Sequence, residues 1–105
     1  MLTVNSSNEY QVALSMYKDS KHIFDKILGD MYNFWEDQGY DVDIYFIEDY
    51  QKIKVKYKDN EIDDKSIILF CTRFKLSLIK TSRTIDKDTM IGDYTQVIYY
   101  YFKGE

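Results

Sequence analysis

Apolar residues recur every three to four positions from Tyr10 to Trp35. Tyr10, Ala13, Leu14, Tyr17, Phe24, Leu28, Met31 and Trp35 form one stripe, which Lys21 interrupts; Val12, Met16, Ile23, Ile27 and Phe34 form a second beside it. This spacing predicts an amphipathic helical segment with a face broad enough to lie on a sheet. Ser6-Ser7-Asn8-Glu9 supplies a start, because Ser6 can cap and Glu9 stands three positions later, as a capping box requires. Gly39 supplies the stop, having the identity that a left-handed C-terminal cap favours. One helix over 7–38 would be about 48 Å long, more than the diameter of a globule of this size. A break is therefore expected, either at Lys18-Asp19-Ser20 or at Gly29-Asp30.

After Gly39 the period becomes two. Val42, Ile44 and Phe46 alternate with Asp41, Asp43 and Tyr45; Ile53, Val55 and Tyr57 alternate with Lys52, Lys54, Lys56 and Lys58. Folded back about Asp49-Tyr50, these two strands set Val42 opposite Tyr57, Ile44 opposite Val55 and Phe46 opposite Ile53. Asp41 then meets Lys58 and Asp43 meets Lys56 on the other face, so apolar pairs and opposite charges separate cleanly. The turn lacks an Asn-Gly pair and is expected to need four residues or more. Lys58-Asp59-Asn60-Glu61 reads as a turn, and Asp63-Asp64-Lys65 as a second. Ser66 to Lys80 reads as a long strand, with Ile68, Phe70, Thr72, Phe74, Leu76 and Leu78 on one face and Cys71, Arg73, Lys75 and Ser77 on the other; its length implies a bend or bulge. Thr81 to Asp93 reads as a polar loop. Tyr94 to Lys103, apolar on both faces, reads as a last strand that is central or covered by a partner. The expected fold is α+β: an N-terminal helix or broken helix pair packed on an antiparallel sheet of about four strands, in one domain spanning 1–105.

Composition narrows the class. In 105 residues, 45% hydrophobic content is enough for a core, and a mean hydropathy of −0.48 with no 20-residue apolar run argues against a membrane span. The first residues carry neither a basic start nor an apolar block, so a secretory signal is not expected and a cytoplasmic location is. One cysteine, Cys71, excludes an internal disulfide framework. Proline is absent, alanine occurs once and arginine twice, while lysine, isoleucine, tyrosine and aspartate are abundant. Such usage fits an AT-rich coding sequence, common in low-GC bacteria and in phages.

Catalytic chemistry finds little support. His22 lies mid-helix, Cys71 falls mid-strand in this reading, no serine sits in Gly-x-Ser-x-Gly and no glycine-rich loop could cradle phosphate. Asp41-Val42-Asp43 and Asp86-Lys87-Asp88 resemble fragments of a calcium loop but lack the glycine at the sixth position and the closing glutamate at the twelfth. No enzyme, metal or cofactor is expected.

Charge is distributed unevenly. Residues 1–50 hold ten acids and three bases, and residues 51–105 eight acids and eleven bases. No Lys or Arg occurs between Lys26 and Lys52, a window containing Asp30, Glu36, Asp37, Asp41, Asp43, Glu48 and Asp49 interleaved with Tyr32, Trp35, Tyr40, Tyr45 and Tyr50. Aromatic anchors among carboxylates suit a basic partner. The expected function is a non-enzymatic protein-binding module, in its sharpest form a phage or mobile-element inhibitor of anti-defence type. It would present a nucleic-acid-mimicking surface, built from Asp30, Tyr32, Glu36, Asp37, Tyr40, Glu48, Asp49 and Tyr50, to a basic protein such as a nucleic-acid-binding enzyme. The alternative is a small nucleic-acid-binding domain using Lys52, Lys54, Lys56 and Lys58, helped by Arg73 and Lys75, with Tyr45 or Tyr57 stacking on bases. Homodimerisation through the tyrosine-rich last strand is compatible with either.

Overall fold

A computed structural model describes residues 21–58, 60–87 and 94–104. Helix α1 (Lys21–Asp37) leads into strands β1 (Asp43–Ile47) and β2 (Lys52–Lys58). Helix α2 (Asp64–Phe74) follows, then strands β3 (Leu76–Lys87) and β4 (Tyr94–Gly104). The strands form one antiparallel sheet in the order β1-β2-β4-β3, covered on one face by the helices. The expected α+β class holds.

Helix α1 buries Phe24, Ile27, Met31, Phe34 and Trp35, all at helical spacing. It runs unbroken through Gly29-Asp30, so the second of the two expected breaks is absent. The other expected break and the Ser6–Glu9 capping box lie outside the described residues. Gly39 ends the helix as expected. At φ 86° it turns left-handed, its N–H bonds Glu36 O at 3.0 Å, and the Tyr40 N–H bonds Trp35 O at 2.9 Å. These two bonds are the Schellman pattern, and the ring of Tyr40 packs edge-on against Trp35 at 5.9 Å, the apolar contact that often accompanies it.

The β1–β2 register is the one the alternation predicts: Asp43 opposite Lys56, Ile44 opposite Val55, Phe46 opposite Ile53. Four residues, Glu48 to Gln51, make the turn, and three of them are left-handed, with φ of 51°, 55° and 68° at Glu48, Asp49 and Tyr50. Each such non-glycine residue costs about 1–2 kcal/mol. The turn is held by Tyr50, whose ring stacks on Phe24 at 4.5 Å and tilts against Phe46 at 5.5 Å.

The strand expected over Ser66–Lys80 is a correction. Residues Asp64–Phe74 are helical, and the loop expected over Thr81–Asp93 is strand as far as Lys87. Asp63 caps α2, its side chain accepting from the Lys65 N–H at 3.3 Å. Buried Ser66, Ile67, Phe70 and Phe74 then repeat at three and four residues, whereas Ile68 and Leu69 face outward. Lys75, left-handed at φ 53°, closes the helix with its N–H on Cys71 O. Cys71 is thus helical, and His22 is exposed on α1. The irregularity expected in the long strand exists, but within β3, between Leu78 and Lys80.

Strand β4 is central, paired with β2 and with β3. Both its edges are occupied, so the tyrosine-rich strand offers no free edge to a second copy. Its inward residues Ile98, Tyr100 and Phe102 join Ile53 and Val55 under the helices. The Tyr100 hydroxyl accepts the Ile62 N–H at 2.8 Å in a buried setting.

Two stability changes follow. Gly29 is exposed within α1 and a Cβ there meets nothing within 4 Å. Gly29→Ala is expected to stabilise the protein by about 0.5–1 kcal/mol in urea unfolding. Tyr100→Phe leaves the Ile62 N–H without an acceptor and is expected to cost about 1–3 kcal/mol in the same measurement.

Candidate functional site

The eight residues expected to form a partner surface do not gather in one place. Tyr32 is a structural pin. Its hydroxyl accepts the Ile44 N–H at 2.8 Å and lies 3.4 Å from Ile44 O, tying α1 to the free edge of β1. Covering an edge in this way blunts its tendency to pair with other chains. Tyr40 is a second pin, accepting the Asp63 N–H at 3.1 Å and packing on Trp35 and Tyr57. Tyr50 is spent on the hairpin turn. Two of these rings keep an accessible side: Tyr32 and Tyr40 border an open cleft.

The carboxylates divide into separate groups. Asp30 and Asp37 are seven residues apart and share one flank of α1, as the helical repeat requires. Glu36, one residue before Asp37, projects about 100° away from it. It lines the cleft with Asp41. Glu48 forms an ion pair with Lys52 at 2.9 Å, and Asp49 is exposed at the hairpin tip. Asp43 stands opposite Lys56. The seven-carboxylate window is therefore not one continuous patch.

What remains together is the cleft. It has a volume of about 470 Å³ and lies between the C-terminal end of α1 and the segment entering β1, lined by Tyr32, Glu36, Gly39, Tyr40, Asp41 and Val42. The Gly39 turn creates it, because the reversal there brings Asp41 and Val42 back beside the last turn of the helix. A helix C-terminus carries roughly half a negative charge, so cations there stabilise and acids destabilise. Helix α1 ends on Glu36-Asp37, with no basic residue in its last turn and no acid in its first. Helix α2 follows the opposite, favourable rule, with Asp64 in its first turn and Arg73 in its last. The α1 terminus concentrates negative potential where stability alone would not place it.

The lysine row also has a definite place. Lys52, Lys54, Lys56 and Lys58 alternate with inward Ile53, Val55 and Tyr57, so they lie on the sheet face opposite the helices. Tyr45 is on that face, whereas Tyr57 turns inward against Tyr40. Arg73 and Lys75, expected to join the row, sit instead on and just after α2. The pairing of β4 adds Tyr99, Tyr101 and Lys103 to the lysine face, and β3 adds Lys80. Among the described residues no group of three or more His, Cys, Asp or Glu could hold a metal ion, and no helix is long and apolar enough to cross a membrane. No family model, curated protein or solved structure matches the chain.

The cleft depends on the Gly39 turn. Gly39→Ala adds a Cβ that touches nothing within 4 Å, so the cost is in the backbone alone. It is expected to lower stability by about 1–2 kcal/mol in chemical denaturation; an unchanged midpoint would show that the turn is unstrained.

Proposed function

We propose that the protein is a non-enzymatic protein-binding module that receives a cationic side chain of a basic partner in the cleft beside the α1 C-terminus. One observation carries this reading: Glu36 and Asp41 line an open cleft, beside Asp37, at the negative pole of α1. Glu36 and Asp37 lie in the last turn of α1, where the helix dipole disfavours an acid. A cost without an internal return is the pattern of a site kept for an outside charge. Tyr32 and Tyr40 supply rigid aromatic walls, against which a guanidinium or ammonium can also stack. The walls are pre-organised, since both hydroxyls are already bonded to backbone. Little ordering entropy is then lost on binding.

The dispersal of Asp43, Glu48 and Asp49 favours a pocket for one or two cationic side chains over a long track imitating a phosphate backbone. A small intracellular inhibitor that covers a basic functional site of its target remains the concrete form of this proposal. The residue usage fits an AT-rich gene of the kind common in phages and in low-GC bacteria, which is compatible with it.

The test is capture of a partner from a bacterial lysate with immobilised protein, repeated with a Glu36→Lys/Asp41→Lys variant and with Asp49→Lys. The double variant is expected to be as stable as the parent or more so, because Glu36→Lys places a cation at a helix C-terminus. It should nevertheless lose the captured protein by about tenfold or more, while Asp49→Lys retains it. Equal capture by all three proteins would overturn the proposal.

A further inference from the structure

The face of the sheet turned away from the helices is a grid of cations and rings. Its rows, read across β1, β2, β4 and β3, are Ile47–Lys52–Lys103–Ser77, Tyr45–Lys54–Tyr101–Lys80 and Asp43–Lys56–Tyr99–Ser82. A fourth row holds Lys58, Val97 and Thr84. Six lysines share these rows with a single carboxylate, Asp43. Val97 is fully buried; along the rest of the face Tyr45, Lys80 and Lys103 are exposed and Lys54, Tyr99 and Tyr101 are half-buried. Tyr45 is 45% exposed there. The ammonium of Lys54 lies 5.1 Å from the centre of the Tyr45 ring and 5.2 Å from that of Tyr99, and Lys80 lies 4.6 Å from that of Tyr101. Exposed cation–ring contacts of this kind are worth only about 0.5–1 kcal/mol. A ligand supplying phosphates to the lysines and flat bases to the rings can displace them.

We propose that this face binds a single-stranded nucleic acid. The lysines carry the phosphates and Tyr45, Tyr99 and Tyr101 carry unstacked bases. Side chains along one face of a strand recur every ~6.8 Å and neighbouring strands are ~4.8 Å apart. That grid sets rings beside cations at the spacing an extended chain of alternating phosphate and base needs. A duplex hides its base faces and would leave the tyrosines unused. A purely acidic peptide such as poly-glutamate would satisfy the lysines but has no aromatic planes for the three rings. The overall charge of −4 does not oppose binding, because the lysines are collected on one face while Glu36, Asp37 and Asp41 lie by the helical layer. The proposal stands on residues separate from the cleft, so either surface can fail without the other.

The test is fluorescence anisotropy with the full chain and labelled thymidine and uridine oligomers about 12 nucleotides long. A duplex of equal length and poly-glutamate serve as comparison ligands. Single strands are expected to bind saturably and more tightly than the duplex or poly-glutamate. With four phosphates neutralised, the affinity should fall about fifty-fold between roughly 50 and 200 mM salt. A Lys54→Glu/Lys80→Glu variant should abolish binding, and Tyr45→Ala should weaken it by about fivefold or more. Tyr45 is exposed, so unchanged thermal melting separates loss of stacking from loss of fold. No saturable binding at the lowest salt, equal binding by the charge-reversed variant, or equal or tighter binding of the duplex or poly-glutamate would each overturn the proposal.

Discussion

The indole of Trp35 rests on the ring of Phe70 at 4.8 Å, and Phe70 in turn meets Phe34, Phe74 and Phe102. This aromatic seam joins α1, α2 and the central strand, and the placement of everything else depends on it. It sets both helices on one face of the sheet and leaves the other face without a covering helix among the described residues. It also fixes the end of α1, because Trp35 is the residue whose carbonyl closes the Gly39 turn and whose ring receives Tyr40. Fully buried aromatic side chains of this size are costly to truncate, typically about 3–5 kcal/mol each. The Nε1–H of Trp35 is buried with no acceptor among the described residues, so packing here outweighs an unmet hydrogen bond.

Tyrosine does two distinct jobs in this chain. Facing inward or along the rim, Tyr32, Tyr40 and Tyr100 place their hydroxyls on backbone N–H groups of Ile44, Asp63 and Ile62. Tyr40 and Tyr100 tie the segment between β2 and α2 to the core, and Tyr32 covers the free edge of β1. Facing outward, Tyr45, Tyr99 and Tyr101 lie among lysines. The same residue type therefore closes the fold on one side and furnishes a chemically mixed surface on the other. Charge follows the same division, with acids at the end of α1 and lysines across the open sheet face.

Much of this could be read in advance where a single period was unambiguous. The helical stripe from Phe24 to Trp35, the Gly39 stop and the β1–β2 register all follow from spacing and from pairing of opposite charges. The reading failed at Ile67-Ile68-Leu69-Phe70. Four successive apolar residues fit a strand as well as a helix, and Ile68 and Leu69 prove to be exposed, at 63% and 41%. The deciding signal was Asp63-Asp64 as an N-terminal cap rather than a turn. The acidic window was legible as composition but not as a surface. Which carboxylate meets Lys52 or Lys56, and which tyrosine hydroxyl is already engaged, depends on tertiary placement. The lysine row could be seen, but its partners on β4 could not, because Val97 to Phe102 is apolar on both faces and carries no register mark of its own.

One of the two inner strands of the sheet, β4, is the last of the four in sequence. During synthesis the β1–β2 hairpin, α2 and β3 all leave the ribosome before the segment that bridges them. Until β4 arrives, β2 has one vacant edge, and Ile53, Val55 and the aromatic seam lack the floor that Ile98, Tyr100 and Phe102 complete. The sheet is therefore completed only when the non-local β2–β4 pairing forms. Strand β3 pairs with β4 alone, so these two neighbours in sequence can form a hairpin that then docks on the vacant edge of β2, a step that joins residues far apart in sequence. Interrupting β4 would therefore leave both β2 and β3 without their shared partner.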